Sequence, residues 1–352
     1  LGVKPLYLAG NAEEGRVWFA SEIKSILTNG KHYKPNMCAL AQFFALNYIP
    51  APDTIFDGIV HLPPGSYATL EPGQDLRITR YWDLGEVQPI PDMTEAEGKA
   101  ELIRLLDDAT RIRMRADAPF GAFLSGGLDS ASVVGFMSLY QTDPVRTYSI
   151  GFEDPRFDET KWARMVAARF GTIHQTQVVT PDVASQWPRF IWHCDQPHGD
   201  MSFIPTDQVA ALAAREVRMV LTGDGGDELF AGYEKYLDLF PGGNTDHLQE
   251  GWEGDFVRAS GLLQGDQAHA LLAGDLYAAF HDTDPYAALA APIKASAHQD
   301  PINRVLMAET QTLLPGNNLV KPDRMAMANG LEVRSPFLDY RMAEFAFPCP
   351  GQ

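Results

Sequence analysis

Three carboxylates crowd into Thr222-Gly223-Asp224-Gly225-Gly226-Asp227-Glu228. Like charges this close resist ionisation unless a metal or a cationic substrate group answers them. Earlier in the chain stands a second glycine-rich cluster, Ser125-Gly126-Gly127-Leu128-Asp129-Ser130. Adjacent glycines let backbone N–H groups close around an anion, and a helix starting behind them adds its own donors. Ser125 and Ser130 supply hydroxyls. Asp129 is a poor neighbour for phosphate alone and a ligand once Mg²⁺ is present. No Lys follows the glycines, so this is not the G-x-x-x-x-G-K-[ST] loop. A bare Ser-Gly-Gly also suits a structural turn, but a second glycine loop loaded with acid argues against that reading. The chemistry indicated is the handling of phosphate with a divalent cation.

Each cluster follows a short apolar run, Phe120 to Leu124 for one and Met219-Val220-Leu221 for the other. Between them, helical segments at 130–140, 158–170, 183–193 and 206–217 alternate with strands at 147–152, 173–179 and 218–222. Asp158 is the expected cap and Gly171 the stop of the second helix. This alternation predicts crossover units and a parallel sheet that binds ligands at the carboxyl ends of its strands. Upstream, Thr94-Glu95-Ala96-Glu97 spells a capping box. Leu102, Leu105, Leu106, Ala109 and Ile112 follow it at helical spacing. Residues 1–82 carry strand-like runs at 5–9, 16–20 and 66–70, with a helix at about 39–46. Pro89 and Pro91 mark a linker. The organisation expected is 1–85, a linker at 86–93, and 94–352. Residues 243–300 are Ala-rich and helical by default; 303–314 and 323–328 read as helices.

With their surroundings, these motifs resemble glutamine-hydrolysing asparagine synthetase over nearly the whole chain. Leu124 to Ser130 is similar to that family's pyrophosphate loop, and Thr222 to Tyr233 (TGDGGDELFAGY) to its second loop. Asp195-Gln196-Pro197 with Asp200, Ser202 and Pro205-Thr206 resembles the segment between them. Asp323-Arg324 and Leu331 to Asp339 (LEVRSPFLD) resemble its C-terminal signature. Residues 1–7, 19–24 and 62–65 resemble the second half of its class II glutaminase domain.

The resemblance implies an α/β fold. A parallel-sheet ATP-pyrophosphatase domain, of the adenine nucleotide α-hydrolase-like kind, would follow a partial N-terminal-nucleophile α+β sandwich. It implies that Leu124, Ile150, Thr222 and Gly223 meet adenosine. Ser125, Gly126, Gly127, Asp129 and Ser130 would hold the pyrophosphate, with Mg²⁺ between Asp129 and Asp227. Asp224, where the family carries Glu, and Glu332 are the implied catalytic residues, with Arg334 beside Glu332 and Lys321 a further candidate for phosphate. The implied reaction amidates aspartate through β-aspartyl-AMP, with ATP as co-substrate and ammonia from glutamine. A homodimer is the assembly to test. Related enzymes adenylate other acids, among them lasso-peptide cyclases, β-lactam synthetases and amidotransferases of surface polysaccharides; a non-catalytic nucleotide-binding remnant is the contrasting reading. The family's N-terminal cysteine nucleophile and its glutamine-binding half would precede Leu1, and a basic segment with a further lysine would follow Gln352. The chain reads as a piece of a longer protein, without glutaminase activity of its own and with synthetase activity in doubt.

A net charge of −18 over 352 residues argues against nucleic acid as partner, because phosphate neutralisation needs clustered Lys and Arg. No apolar run approaches the roughly 18 residues of a membrane span. Cys38, Cys194 and Cys349 fit no CxxC or zinc spacing and read as free thiols in a reducing cytoplasm. Cys38 is expected in the core. His193 and His198 lack a third metal ligand at usable spacing. Trp187, Phe190, Trp192, Met325 and Met327 read as packing residues.

Overall fold

The computed structural model describes residues 1–11, 15–71, 73–88, 93–180, 182–263, 265–296 and 300–349. Near the N-terminus, β1 (Tyr7–Asn11) pairs antiparallel with both β2 (Arg16–Ala20) and β3 (Ile59–His61). Alternation puts Tyr7 and Ala9 on the face that meets Ile23 and Ile26 of α1 (Ile23–Leu27). Helix α2 (Met37–Leu46) begins at Asn36, whose side chain accepts from the Ala39 amide. A hairpin of β4 (Ser66–Thr69) and β5 (Arg77–Arg80) completes this part. Cys38 is exposed, contrary to the core position expected of it, because it faces away from the side on which Ala39, Ala41 and Ala45 are buried. Half of the expected linker, 89–92, lies outside the described residues.

The capping box opens α3 (Glu95–Arg113): the Glu97 amide donates to Thr94 Oγ1 at 3.3 Å, and the Thr94 amide to Glu97 Oε2 at 3.0 Å. The crossover units follow as β6 (Phe120–Phe123), α4 (Leu128–Tyr140), β7 (Arg146–Phe152), α5 (Thr160–Phe170) and β8 (Ile173–Val179). Helices α6 (Val183–Cys194) and α7 (Phe203–Ala213) lead to β9 (Met219–Leu221) and the short α8 (Gly226–Phe230). Helices α9 (Glu234–Leu239), α10 (Trp252–Ala259), α11 (Gly265–Leu271), α12 (Gly274–Asp282) and α13 (Ala287–Ala295) form a helical lobe. Helices α14 (Pro301–Gln311) and α15 (Val320–Ala328), strand β10 (Glu332–Arg334) and α16 (Tyr340–Ala346) close the chain. Glu159 rather than Asp158 occupies the cap position of α5, while Asp158 accepts from the Thr160 amide at 3.3 Å.

The five strands lie in the order β10-β9-β6-β7-β8, every neighbouring pair parallel. Val133, Val134 and Met137 of α4 and Ala163 of α5 pack on one face; Ala210 and Ala213 of α7 and Ala326 of α15 pack on the other. Strands β7 and β8 succeed β6 on one side, and β9 then returns to its opposite side. The strand order reverses between β6 and β9, where open parallel sheets hold ligands. Phe120 lies opposite Met219 and Ala122 opposite Leu221, so both glycine clusters leave the same edge at the same height.

The N-terminal part grips the segment that follows α6 and the helix α15. Asp195, with its side chain 2% exposed, accepts the amides of Ile23 at 2.7 Å and Lys24 at 3.3 Å and pairs with Lys24 Nζ at 2.8 Å. The Gly199 amide donates to Asn47 O at 3.1 Å, Lys4 pairs with Asp323 at 2.5 Å, and Arg324 donates to Ser21 O at 2.7 Å. Phe190 and Met325 are core residues, whereas Trp192 (64% exposed) and Met327 (54%) are on the surface. Helical spacing places the latter two on the solvent side of amphipathic helices.

Candidate active site

The first loop is held together by its own hydroxyls. The Ser125 amide donates to Ser130 Oγ at 3.3 Å, the Gly127 amide to Ser125 Oγ at 3.2 Å, and the two hydroxyls lie 3.0 Å apart. Gly126 has φ +91°, and a Cβ there would lie 2.5 Å from Ala163 N. Only glycine allows the loop to approach α5 so closely. Gly127 begins α4 without a side-chain cap, which leaves the first amides of that helix for another acceptor.

The second loop packs directly on the first. A Cβ at Gly223 would lie 2.8 Å from Asp129 Cβ and 2.8 Å from Ser130 N; one at Gly226 would lie 2.4 Å from Asp129 Oδ2. The Asp129 carboxylate thus rests against the start of α8, where Asp227 and Glu228 follow. The two glycine clusters, remote in sequence, form one surface.

That surface lines a cavity of about 680 Å³ whose walls include Ser125, Gly127, Asp129, Ser130 and the whole of Thr222 to Glu228. A smaller cavity of about 220 Å³ holds Leu124 and Ile150 and shares Ser125, Phe123 and Thr206 with the larger one. Gly126 lines neither and serves the turn itself. Glu332 is not brought to the site. It lies opposite Met219 at the amino end of β10 and pairs with Arg334 at 2.7 Å, outside both cavities. A parallel strand presents ligand-facing residues at its carboxyl end, so the substrate role expected of Glu332 finds no support in this geometry. Arg334 donates instead to the carbonyls of Arg113 and Arg115.

Electrostatically, the large cavity is dominated by acid. Asp129, Asp224, Asp227 and Glu228 line it, and Lys321 is the one Lys or Arg among its described walls. Burial and then the charges of Asp227, Glu228 and Asp224 push the Asp129 carboxyl up to about 6. Burial raises Asp224 against the pull of the Thr222 hydroxyl, which donates to it at 2.6 Å. Burial and Glu228 raise Asp227. Lys321 is already engaged, 2.9 Å from Asp200. Glu228 is held by the Tyr233 hydroxyl at 2.6 Å and by the Asn318 amide.

Among the described residues no group of three or more His, Cys, Asp or Glu is arranged to hold an ion. Mg²⁺ typically takes one or two carboxylates and completes its shell with phosphate oxygens and water. Asp129 and Asp227, raised in pKa and without a cationic partner among the described residues, fit that donor set. Tyr233, Asn318, Phe123 and Val209 line the cavity without having been singled out by the sequence. For Tyr233 the signal was its place at the end of the second motif; for Asn318 there was none.

Residues 101–352 match the family model for asparagine synthase, and residues 1–82 match that for a glutamine amidotransferase domain. The chain belongs to the asparagine synthase family. Among proteins of this family, it is similar to asparagine synthetase [glutamine-hydrolyzing] 1 of Bacillus subtilis, at 29% identity over all of this chain and 59% of that protein. It is similar to a putative asparagine synthetase [glutamine-hydrolyzing] of Mycobacterium tuberculosis H37Rv, at 32% identity over 99% of this chain and 58% of that protein. The amidase chyE of Penicillium rubens matches 67% of this chain at 29% identity and 37% of its own length. The chain thus spans less than three-fifths of these relatives, 58–59% of the two synthetases. No described helix is long and apolar enough to cross a membrane.

Proposed function

We propose that the paired cavities bind ATP and that the protein adenylates a carboxylate and passes the acyl group to ammonia, with aspartate as the carboxylate and asparagine as product. The observation that carries this reading is the seating of Asp129 against the second loop, its Cβ against Gly223 and its carboxylate against Gly226. It joins two anion-binding loops into one surface and leaves uncompensated carboxylates beside it. Leu124, Ile150, Thr222 and Gly223 are assigned to the adenosine end. Ser125, Gly127, Ser130 and the free amides of α4 are assigned to the pyrophosphate. Asp129 and Asp227 would hold Mg²⁺, which when bound screens the phosphate charge from the acidic walls and stabilises the leaving pyrophosphate.

In the first step a β-carboxylate oxygen of aspartate attacks the α-phosphorus, and the bond to the bridging oxygen of pyrophosphate breaks. The free amides at the start of α4, held in place by the loop's own hydrogen bonds, receive the departing charge without reorganising. In the second step the ammonia lone pair attacks the acyl carbon; AMP leaves with the C–O electron pair and the amine sheds a proton. Asp224 is assigned to the acyl-adenylate step, and Lys321, oriented by Asp200, to a phosphate oxygen. In the complete protein, glutamine hydrolysis would supply the ammonia. A second reading, the same adenylation applied to another acid, is favoured by the likeness to an amidase over two-thirds of the chain.

The test is pyrophosphate release by the full-length protein with ATP, Mg²⁺, ammonia and a panel of carboxylates. Aspartate should support release and Asp129→Ala should abolish it. Release unchanged by Asp129→Ala would remove the mechanism, and release with a different acid alone would replace the substrate.

A further inference from the structure

Outside the nucleotide site, the helical lobe holds a cavity of about 760 Å³, a size usual for small-molecule sites. Its walls are mostly apolar, with Leu46 and Tyr48 from the N-terminal part, Trp252, Phe256 and Leu289 from the lobe, and Leu313 from the segment after α14. Charged residues also line it, among them Lys235, Asp238 and Glu309, and Asp255, which pairs with Arg258. Glu309, with its side chain only 3% exposed, is paired at 2.5 Å with Lys235, whose side chain remains 42% exposed. The Tyr236 hydroxyl donates to the same carboxylate. Asp238, one turn beyond Lys235 on α9, also lines the cavity, is exposed, and has no ion pair among the described residues. The Lys235–Glu309 pair is thus half-buried, with the carboxylate enclosed and the ammonium open to the cavity.

We propose that this cavity is a second ligand site, for a zwitterionic α-amino acid with a large apolar side chain. Lys235 is held by Glu309 and lies 5.4 Å and 5.1 Å from the ring centres of Tyr233 and Tyr236, so its position is set before a ligand arrives. Its remaining N–H donors meet the ligand carboxylate. Asp238, three residues on and on the same helical face, accepts from the ammonium. The apolar walls take the side chain. The site also adjoins the nucleotide cavity through Tyr233, whose ring contacts Lys235 and whose hydroxyl donates to Glu228.

Calorimetric titration of the full-length protein without nucleotide tests this directly. The probes are L-phenylalanine, glycine, 3-phenylpropanoate and phenethylamine. L-Phenylalanine is expected to bind with one site per chain and at least tenfold more tightly than each of the other three. Asp238→Asn removes one charge-assisted hydrogen bond and should weaken L-phenylalanine about tenfold while leaving 3-phenylpropanoate unaffected. Ala259→Phe, from an exposed cavity-lining position, should obstruct part of the space and weaken binding at least tenfold without lowering the unfolding temperature. Absence of saturable L-phenylalanine binding at millimolar concentration would overturn the proposal. So would equal binding of 3-phenylpropanoate, or indifference to both substitutions in variants that unfold at the parent temperature.

Discussion

Gly223→Ala is the sharpest test of the union between the two loops. The added methyl would stand 2.8 Å from Asp129 Cβ, 2.8 Å from Ser130 N and 3.0 Å from Asp129 C. Ordinary contact begins near 3.4 Å, so the loops must part by about 0.6 Å. Because one of the obstructing atoms is a backbone nitrogen at the start of α4, no rotamer change relieves the clash. Overpacking of this kind costs about 1–3 kcal/mol, an expected drop of roughly 2–10 °C in unfolding temperature for a chain of this size. A displacement of this order between phosphate-binding groups should lower ATP-dependent pyrophosphate release between roughly ten- and a hundred-fold. Gly226→Ala provides the contrast, since its methyl meets the Asp129 carboxylate at 2.4 Å rather than backbone. It should disturb the Mg²⁺ dependence more than the unfolding temperature. Pyrophosphate release at parental rate and parental ATP dependence in Gly223→Ala would refute the argument that the two loops act as one surface.

Three further outcomes follow from the same physics. The Asp129 carboxyl titrates at about 6 in the folded protein, above its unfolded value near 4, so the folded state holds that proton more tightly and this group's contribution to stability falls as pH rises through that interval. In Mg²⁺-free buffer Asp129→Asn should therefore be more stable than the parent above pH 6, with the gap closing toward pH 4; urea midpoints across that range would show it, and a pH-independent gap would contradict it. Asp195→Ala strips the acceptor from two amides and the partner from Lys24 at a site 2% exposed, and should cost about 3 kcal/mol by denaturant unfolding, with faster hydrogen exchange in α1. Gly98→Ala, within α3 and with only Met93 Sδ at 3.5 Å from the new methyl, should stabilise by about 0.5–1 kcal/mol in the same assay.

The features set by near neighbours could be read from the chain alone. The capping box at Thr94, the glycine stop at Gly171, the strands at 16–20 and 173–179 and the two turns at the ends of β6 and β9 all depend on residues within a few positions of one another. Their alternation was also enough to specify a parallel sheet. The strand order was not contained in that pattern: placing β9 beside β6 is what seats Asp129 against Gly223 and Gly226 and raises its pKa. Glu332 shows the converse. Its neighbours in sequence suggested a substrate role, yet pairing with β9 put it at the amino end of the sheet, outside the nucleotide cavities. Asn318 on Glu228, Asp200 on Lys321 and the Lys235–Glu309 pair likewise join residues far apart in the chain. Periodicity and capping act over a few residues, so residue spacing reveals which groups could act; which of them meet is decided by packing across the whole fold.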